Sequence, residues 1–531
     1  MSDIYNEDLE WEILQKTMII EKITPNINIP KKSLNIVVSR NESYQIRANL
    51  TAIQEVPITK RSDGEYLRIF HENSPGSSLK TFTIEGNDQF GSKIELRNCY
   101  IYNISSIDGK SNTERIVTLK IAAQEIKIEK DSDPKVSWIS EWYINGPNKI
   151  NFPRETVRYR DKESDKTLRK RSTIDISDDD ANELFFINFG NSQMNSDFAF
   201  IDSKSIKFII AKVPSNFGPD WSNSMCIEYR KDFCPIPDLE QREAISEIVS
   251  FVLGTQLLGV GFTEYDYEGR IIKSVAKSAW GGTYSRFISE DVQASPFDLG
   301  IRKYMQNPDG IEEIFIDLIP KYLTLRTKMN LKHALWRYWI SKSMPLGTNL
   351  PVLSSGLEII MKSWFESENS QSKALHISQK EFNQLLENNL KSIEEKLDEY
   401  IKNKIKDLEL EERELRKKQE EIELKNPIMG KIRNSYQMSQ TKKYSVFFKE
   451  IGLRTADMEE KALKCRNFMV HPDEASLEDI EKMTTCTRAY QTLFHRVFLK
   501  ILRYEENYVD RSIIGFPEKH IDVPLGEKRI Y

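Results

Sequence analysis

The sequence predicts an α+β chain of several domains, with a β-rich N-terminal sandwich or barrel-like domain followed by an all-α helical bundle that carries a long charged helical insertion. Three observations predict this. From about Leu34 to Cys234 short runs alternate apolar and polar residues with period two, and after Pro237 the period becomes helical. At 531 residues the chain exceeds one ordinary core; roughly 150 residues per domain gives about three units, with two an equal alternative. Hydrophobic residues at 39% and charged residues at 30% belong to a soluble globular protein rather than a disordered one.

The strand-like runs are LNIVVSR, YQIRANLTAI, KIELRNCYIYNI, RIVTLKIAAQEIKI, ELFFINFG and SIKFIIAKV, separated by turn clusters of Gly, Asn, Asp and Ser. Within this half, Arg154 to Glu183 is basic first and acidic afterwards, which predicts a solvated loop, with an RNA-contacting or trigger-sensing loop as the alternative. Its acidic run lacks the glycine and terminal glutamate of a calcium loop. LEQREAISEIVSFVLG is then helical, and VGFTEYDYEGRIIKSV reads as a hairpin turning at Glu268 and Gly269. Gly259 and Gly261 lead into an aromatic strand and not a helix, so they predict no phosphate cradle.

From about Ile311 to Arg503 the pattern is helical: IEEIFIDLIPKYLTL, LKHALWRYWISKSM, LPVLSSGLEIIMKSWFES, a charged stretch from Gln379 to Lys425, YSVFFKEIGL, DMEEKALKCRNFMV and a final helix from Leu477. In the charged stretch Leu386, Leu390, Ile393, Leu397, Ile401, Ile405 and Leu408 recur three or four apart, predicting one long amphipathic helix that pairs with a copy of itself, packs on the bundle or projects into solvent. Trp336, Tyr338, Trp339 and Trp364 sit at helical spacings and read as core. The boundaries that follow are 1–235 for the β-rich sensing or regulatory domain, 236–328 for a mixed helix and hairpin connecting region, 329–505 for the bundle with its insertion at 379–426, and 506–531 for an extended tail over the body.

Several classes are disfavoured. A net charge of -5 confines any nucleic-acid contact to a local patch. The acidic start MSDIYNEDLEWE has no secretory h-region, and the uncharged run from Ile248 to Phe262 is short of a membrane span, so a cytoplasmic protein without a membrane partner is expected. The five cysteines are scattered without a C-x-x-C pair, and predict neither a disulfide framework nor a zinc site. No H-E-x-x-H, Walker loop, G-x-S-x-G or kinase signature occurs, so no metal and no cofactor is expected.

The stretch KCRNFMVHPD, residues 464–473, holds one of only six histidines. Asp457 with Glu460, and Ser476 with Asp479, resemble capping boxes that bracket a helix from about Met458 to Val470 and a turn at His471 and Pro472. In a continuous helix Arg466 and His471 would lie about 140° apart. Pro472 disfavours helical backbone at His471, which frees that residue to swing toward Arg466. A histidine with an arginine suits phosphodiester transfer by an RNA 2′-hydroxyl: the imidazole moves protons near neutrality, and the guanidinium forks onto phosphate oxygens. Asn467 adds an uncharged donor and acceptor. A surface arginine near a helix-ending histidine is the plainer explanation of the same residues.

Arg466-Asn467-x-x-x-His471, at a helix end in an all-helical C-terminal unit, resembles the R-φ-x3-H signature of the HEPN superfamily, and LPVLSSGLEIIMKSWFES resembles the helix of Apea-type HEPN domains that carries a glutamate, here Glu358. The resemblance spans about Leu331 to Tyr504. It implies a bundle of four or five helices that dimerises so that two motifs share a cleft, and a metal-independent endoribonuclease that leaves 2′,3′-cyclic phosphate. It also implies a role in antiphage defence, abortive infection or toxin-like damage to RNA, and a trigger of phage origin sensed by the N-terminal domain. By the same resemblance His471 is the general acid/base, Arg466 the phosphate stabiliser, Asn467 the polar φ position, and Glu358 and Pro472 supporting residues. The insertion at 379–426 departs from the minimal family. Two alternatives stay open: a non-catalytic RNA-binding or scaffolding HEPN protein, and a ligand-binding protein dimerised by its helical bundle.

Overall fold

In the computed structural model the chain is α+β, with a large antiparallel sheet mostly in the N-terminal half and helices in the C-terminal half. The structure describes residues 4–6, 11–24, 33–55, 81–108, 114–130, 135–148, 150–160, 167–171, 185–186, 196–203, 206–215, 217–279, 294–367, 379–406, 410–433, 438–468 and 477–526. These form two compact units, 1–323 with 339–345 and 324–338 with 346–531.

Among the described residues the large sheet of the first unit has fourteen strands: β1 (Met18–Ile20), β2 (Ser33–Arg40), β3 (Ile46–Glu55), β4 (Phe82–Asn87), β5 (Lys93–Asp108), β6 (Glu114–Ala123), β7 (Glu125–Glu129), β8 (Trp138–Gly146), β9 (Arg154–Glu155), β10 (Ser196–Ser203), β11 (Ile206–Lys212), β12 (Asn223–Arg230), β13 (Leu258–Tyr265) and β14 (Ile271–Lys277). Their order is β9-β10-β11-β12-β8-β13-β14-β7-β5-β6-β3-β2-β1, with β4 also paired to β5. The period-two pattern turns into burial directly. Ile36 and Val38 face the interior opposite Leu50 and Ala48 in register, and together with Ile94, Leu119 and Ile121 they close one core. A second core gathers around Trp142, Ile144, Phe198, Ile209 and Leu258.

Helix α1 (Leu239–Leu253) explains why β8 is buried along nearly its whole length. Trp142 and Ile144 point into the second core, whereas Glu141, on the opposite face, accepts from Arg242 of α1 at 2.8 Å. Gly254 ends α1 in left-handed backbone, and a Cβ there would meet the Ser295 backbone at 2.0 Å. The expected hairpin forms β13 and β14 and lies between β8 and β7, so residues expected to connect domains supply central strands of the sheet. Gly261 permits the close strand approach, since a Cβ there would lie 2.1 Å from the Val275 carbonyl.

Residues 154–160 and 167–171 of the basic half are described, and their strands and the buried Arg171 correct the expectation of a solvated loop there. Val157–Arg160 and Thr167–Lys170 pair in a four-stranded sheet, and Arg171, fully buried, donates to Glu228. Arg154 pairs with Glu312 at 3.0 Å. A buried arginine needs such a partner, because an isolated charge in the interior is strongly disfavoured. The acidic half, 172–183, lies outside the described residues.

The remaining helices are α2 (Ile301–Gln306), α3 (Gly310–Leu325), α4 (Leu331–Lys342), α5 (Asn349–Glu366), α6 (Gln379–Lys404), α7 (Leu410–Glu420), α8 (Asn426–Arg433), α9 (Gln440–Glu450), α10 (Asp457–Phe468) and α11 (Leu477–Ile501), with a π-helical turn at Glu421–Lys425. The charged insertion is not the single helix expected. It folds back as a helical hairpin, in which Lys404 bridges to Glu420 at 2.6 Å and Lys425 to Asp398 at 2.6 Å. Ile401 and Ile405 are buried, while Leu415 and Ile422 stay exposed.

The tail, expected as an extended segment, forms a short hairpin, and its Ile521 carbonyl and Leu525 N–H bond to Arg496 and Glu459 of the same unit. Asn507–Val509 pairs with Glu518–His520, and buried Lys519 bonds Asp510 at 2.8 Å. Tyr338 is buried and Trp364 packs against Phe447, but Trp336 is 43% exposed, which corrects its reading as core. Among the described residues no helix is long and apolar enough to cross a membrane.

Candidate functional site

The motif helix α10 is fixed at its N-terminal end. Ala456 N–H donates to Glu459 Oε2 at 3.0 Å, the reciprocal half of a capping box set one residue earlier than the expected Asp457 and Glu460 pair. The other carboxylate oxygen of Glu459 accepts from Arg496 of α11 and from the Leu525 N–H of the tail. Arg496 donates further to the Arg454 and Ile521 carbonyls, so one buried ion pair ties together α10, α11, the loop before α10 and the tail. Burial pushes the Glu459 carboxyl above its ordinary range, against the pull of the Leu525 N–H and Arg496.

At its other end α10 carries Cys465, bonded to Cys486 of α11 with Cα atoms 6.3 Å apart. This is a single bond between two helices and not a disulfide framework. The partners are 21 residues apart on two helices, a spacing that no local pattern signals. Cys99, Cys226 and Cys234 are free thiols.

Helix α5 brings in Glu358. Gly356 lets α5 sit close to its neighbours, because a Cβ there would come 3.0 Å from the Ala334 carbonyl oxygen and 3.3 Å from the Phe494 ring. Two residues on, Glu358 is half-buried and lines a cavity of about 1160 Å³ together with Glu460 and Lys464 of α10. Lys442 and Lys449 of α9, and Arg454 of the following loop, line the same cavity. These three and Lys464 are exposed, so four cations border a cavity whose buried acid, Glu459, is already paired with Arg496. Glu358 and Glu460 line it as well, so the border carries both signs, with cations in excess. The four cations come from three separate stretches, and sequence reading passed over them because an isolated surface lysine carries no pattern.

Of the sequence-derived residues, Arg466 and Asn467 lie in the last turn of α10. His471 and Pro472 lie outside the described residues. The structure therefore brings Glu358 and the motif helix to one cavity, and it describes no geometry between Arg466 and His471. His495 is fully buried, with Nε2 2.7 Å from the Tyr338 hydroxyl, which makes it a core residue. Among the described residues no group of three or more His, Cys, Asp or Glu could hold a metal ion.

Comparison with family models, curated proteins and solved structures finds no match. The functional reading therefore rests on the cavity and the motif alone.

Proposed function

We propose that the protein is a metal-independent endoribonuclease of the HEPN type, acting at the cavity bordered by α5, α9 and α10. The observation that carries this reading is that Glu358 and Lys464, which stands two residues before Arg466, line one cavity with an exposed cationic border. Along α10 the three- and four-residue spacing of Glu460, Leu463 and Lys464 is continued by position 467.

In the proposed reaction the 2′-oxygen of a ribose attacks the adjacent phosphorus while the bond to the 5′-oxygen breaks. His471 serves as the acid/base for the proton leaving the 2′-hydroxyl or the proton joining the 5′-oxygen. Arg466 neutralises charge that grows on the equatorial phosphate oxygens, Asn467 orients one of these groups, and the products are a 2′,3′-cyclic phosphate and a free 5′-hydroxyl. A second copy, facing the first across the cleft, completes the site. The sheet-bearing unit controls the activity in response to a trigger, in a setting of antiphage defence.

Binding of a labelled single-stranded RNA to the His471→Ala protein tests the location. Lys449→Glu combined with Lys464→Glu should weaken binding at least tenfold and flatten its salt dependence, whereas Lys127→Glu on β7 should not. Equal affinity in all three proteins would place RNA elsewhere and overturn the assignment of this cavity.

A further inference from the structure

Part of the large sheet closes on itself. Pairing runs β1-β2-β3-β6-β5-β4, and Glu21, just after β1, exchanges backbone hydrogen bonds with Asn87 of β4 at 2.7 and 3.0 Å, which brings β4 back to β1. The interior of this barrel is filled: Ile36, Val38, Ile46, Leu50, Leu119 and Ile121 are fully buried. A ligand is left with the outer surface.

Residues that alternate with these core positions face outward. On that face β3 carries Arg47, Asn49 and Thr51, β6 carries Thr118 and Lys120, and β5 carries Tyr102. The cross-strand rows through Arg47, Asn49 and Thr51, followed from β2 to β5, contain no carboxylate. Further along the same sheet the outward cations are matched: Arg97 bonds Glu125 of the adjacent strand at 3.0 Å, Lys127 bonds Glu129 at 2.6 Å, and Lys273 bonds Glu264 of its neighbour at 3.5 Å. Arg47 and Lys120 have no carboxylate partner among the described residues. Arg47 donates to the Gln45 side chain at 2.7 Å and lies 4.8 Å from the centre of the Tyr102 ring, which is 45% exposed. Lys120 is exposed, diagonal to Arg47 on the adjacent strand.

We infer that this outer face of the barrel binds single-stranded RNA. Arg47 and Lys120 meet phosphate oxygens, a task for cations whose charge no neighbouring carboxylate has cancelled. Tyr102 holds a guanidinium against its ring and offers its exposed part to a base. Asn49, Thr51 and Thr118 supply neutral donors and acceptors for base edges and the 2′-hydroxyl. A base reaches the ring only when it is unstacked from a partner strand, so the RNA is single-stranded. The inference stands on the β-rich unit alone and holds whether or not the helical unit cuts RNA.

Fluorescence anisotropy with a labelled uridylate of about ten nucleotides provides the test. It uses full-length protein carrying His471→Ala, Lys449→Glu and Lys464→Glu, which removes cleavage and the contact proposed for the cavity. Adding Arg47→Gln with Lys120→Gln should weaken binding at least tenfold and lower the salt slope of log Kd by about 1.4, the loss of two phosphate contacts to a single strand. Tyr102→Ala should weaken binding at least fivefold and Tyr102→Phe should not. Lys127→Gln with Lys273→Gln should leave affinity within twofold, and the deoxyribose form of the oligonucleotide should bind at least threefold more weakly. Affinity unchanged by the Arg47 and Lys120 pair or by Tyr102→Ala overturns the inference, as does equal affinity for the deoxyribose form or for duplex RNA. Binding lost entirely on Lys449→Glu with Lys464→Glu also overturns it and leaves the cavity reading standing. Loss at the barrel variants with none at the cavity variants supports it and overturns the cavity as an RNA site.

Discussion

The Arg496 guanidinium and the Glu459 carboxylate form an ion pair in which neither residue is exposed to solvent, and this pair joins the motif helix to α11 and to the tail. Burial raises the carboxyl's pKa more than the arginine lowers it, so the pair itself is a poor source of net stability. Removing one member is worse, because the other charge is left buried alone. Glu459→Gln should therefore destabilise the helical unit by about 3–5 kcal/mol, and Arg496→Met by a similar amount. The double variant should lose less than the sum, as urea midpoints would report. Since the folded carboxyl holds its proton more tightly than the unfolded one, its titration contributes stability that is complete below the ordinary carboxylate pKa and is lost as pH rises through the raised folded value. The margin of wild type over Glu459→Gln should accordingly shrink as pH rises through that window.

Gly356 sets how closely α5, with Glu358, approaches α4 and α11. A leucine there must displace the Ala334 carbonyl and the Phe494 ring, both within 3.3 Å of its Cβ position. Gly356→Leu should destabilise by about 1–3 kcal/mol despite leucine's better helix propensity. An unchanged denaturation midpoint would count against this packing.

The free thiols should differ in reactivity. Burial pushes the Cys99 thiol up to about 12, leaving roughly one part in 10⁴ as thiolate at about pH 8. Cys234 is half-buried. Iodoacetamide followed by mass spectrometry should label Cys234 first and Cys99 only on unfolding or at strongly alkaline pH, with the Cys99 rate rising about tenfold per pH unit below its pKa.

Pro472 is argued to release His471 from the helix. Pro472→Ala should leave the fold intact, judged by an unchanged circular dichroism spectrum, and lower RNA cleavage without abolishing it. Undiminished cleavage would remove the proline from the account.

Much of the architecture is legible from local pattern. The period-two runs became β2, β3, β5, β6 and β11, and the helix before Gly254 ends where that glycine permits. The rest is decided by contacts between distant residues. No proline or glycine marks the break after Lys404; the hairpin forms because it buries Ile401 and Ile405 and pairs Lys425 with Asp398. Arg171 and Arg496 look like surface charges until Glu228 and Glu459 stand beside them. At the candidate site, Glu358 and the motif helix are legible from the resemblance, whereas the cations on α9 and the bond between Cys465 and Cys486 exist only in three dimensions.

The central claim is that His471, with Arg466, performs metal-free cleavage of RNA. Its most direct test is incubation of total RNA with the full-length protein and with His471→Ala, each with and without EDTA, followed by end-group analysis. The account predicts cleavage by the wild type that survives EDTA and leaves 2′,3′-cyclic phosphate, and loss of at least a hundredfold in the variant. Equal cleavage by the two proteins, or cleavage abolished by EDTA, would contradict it.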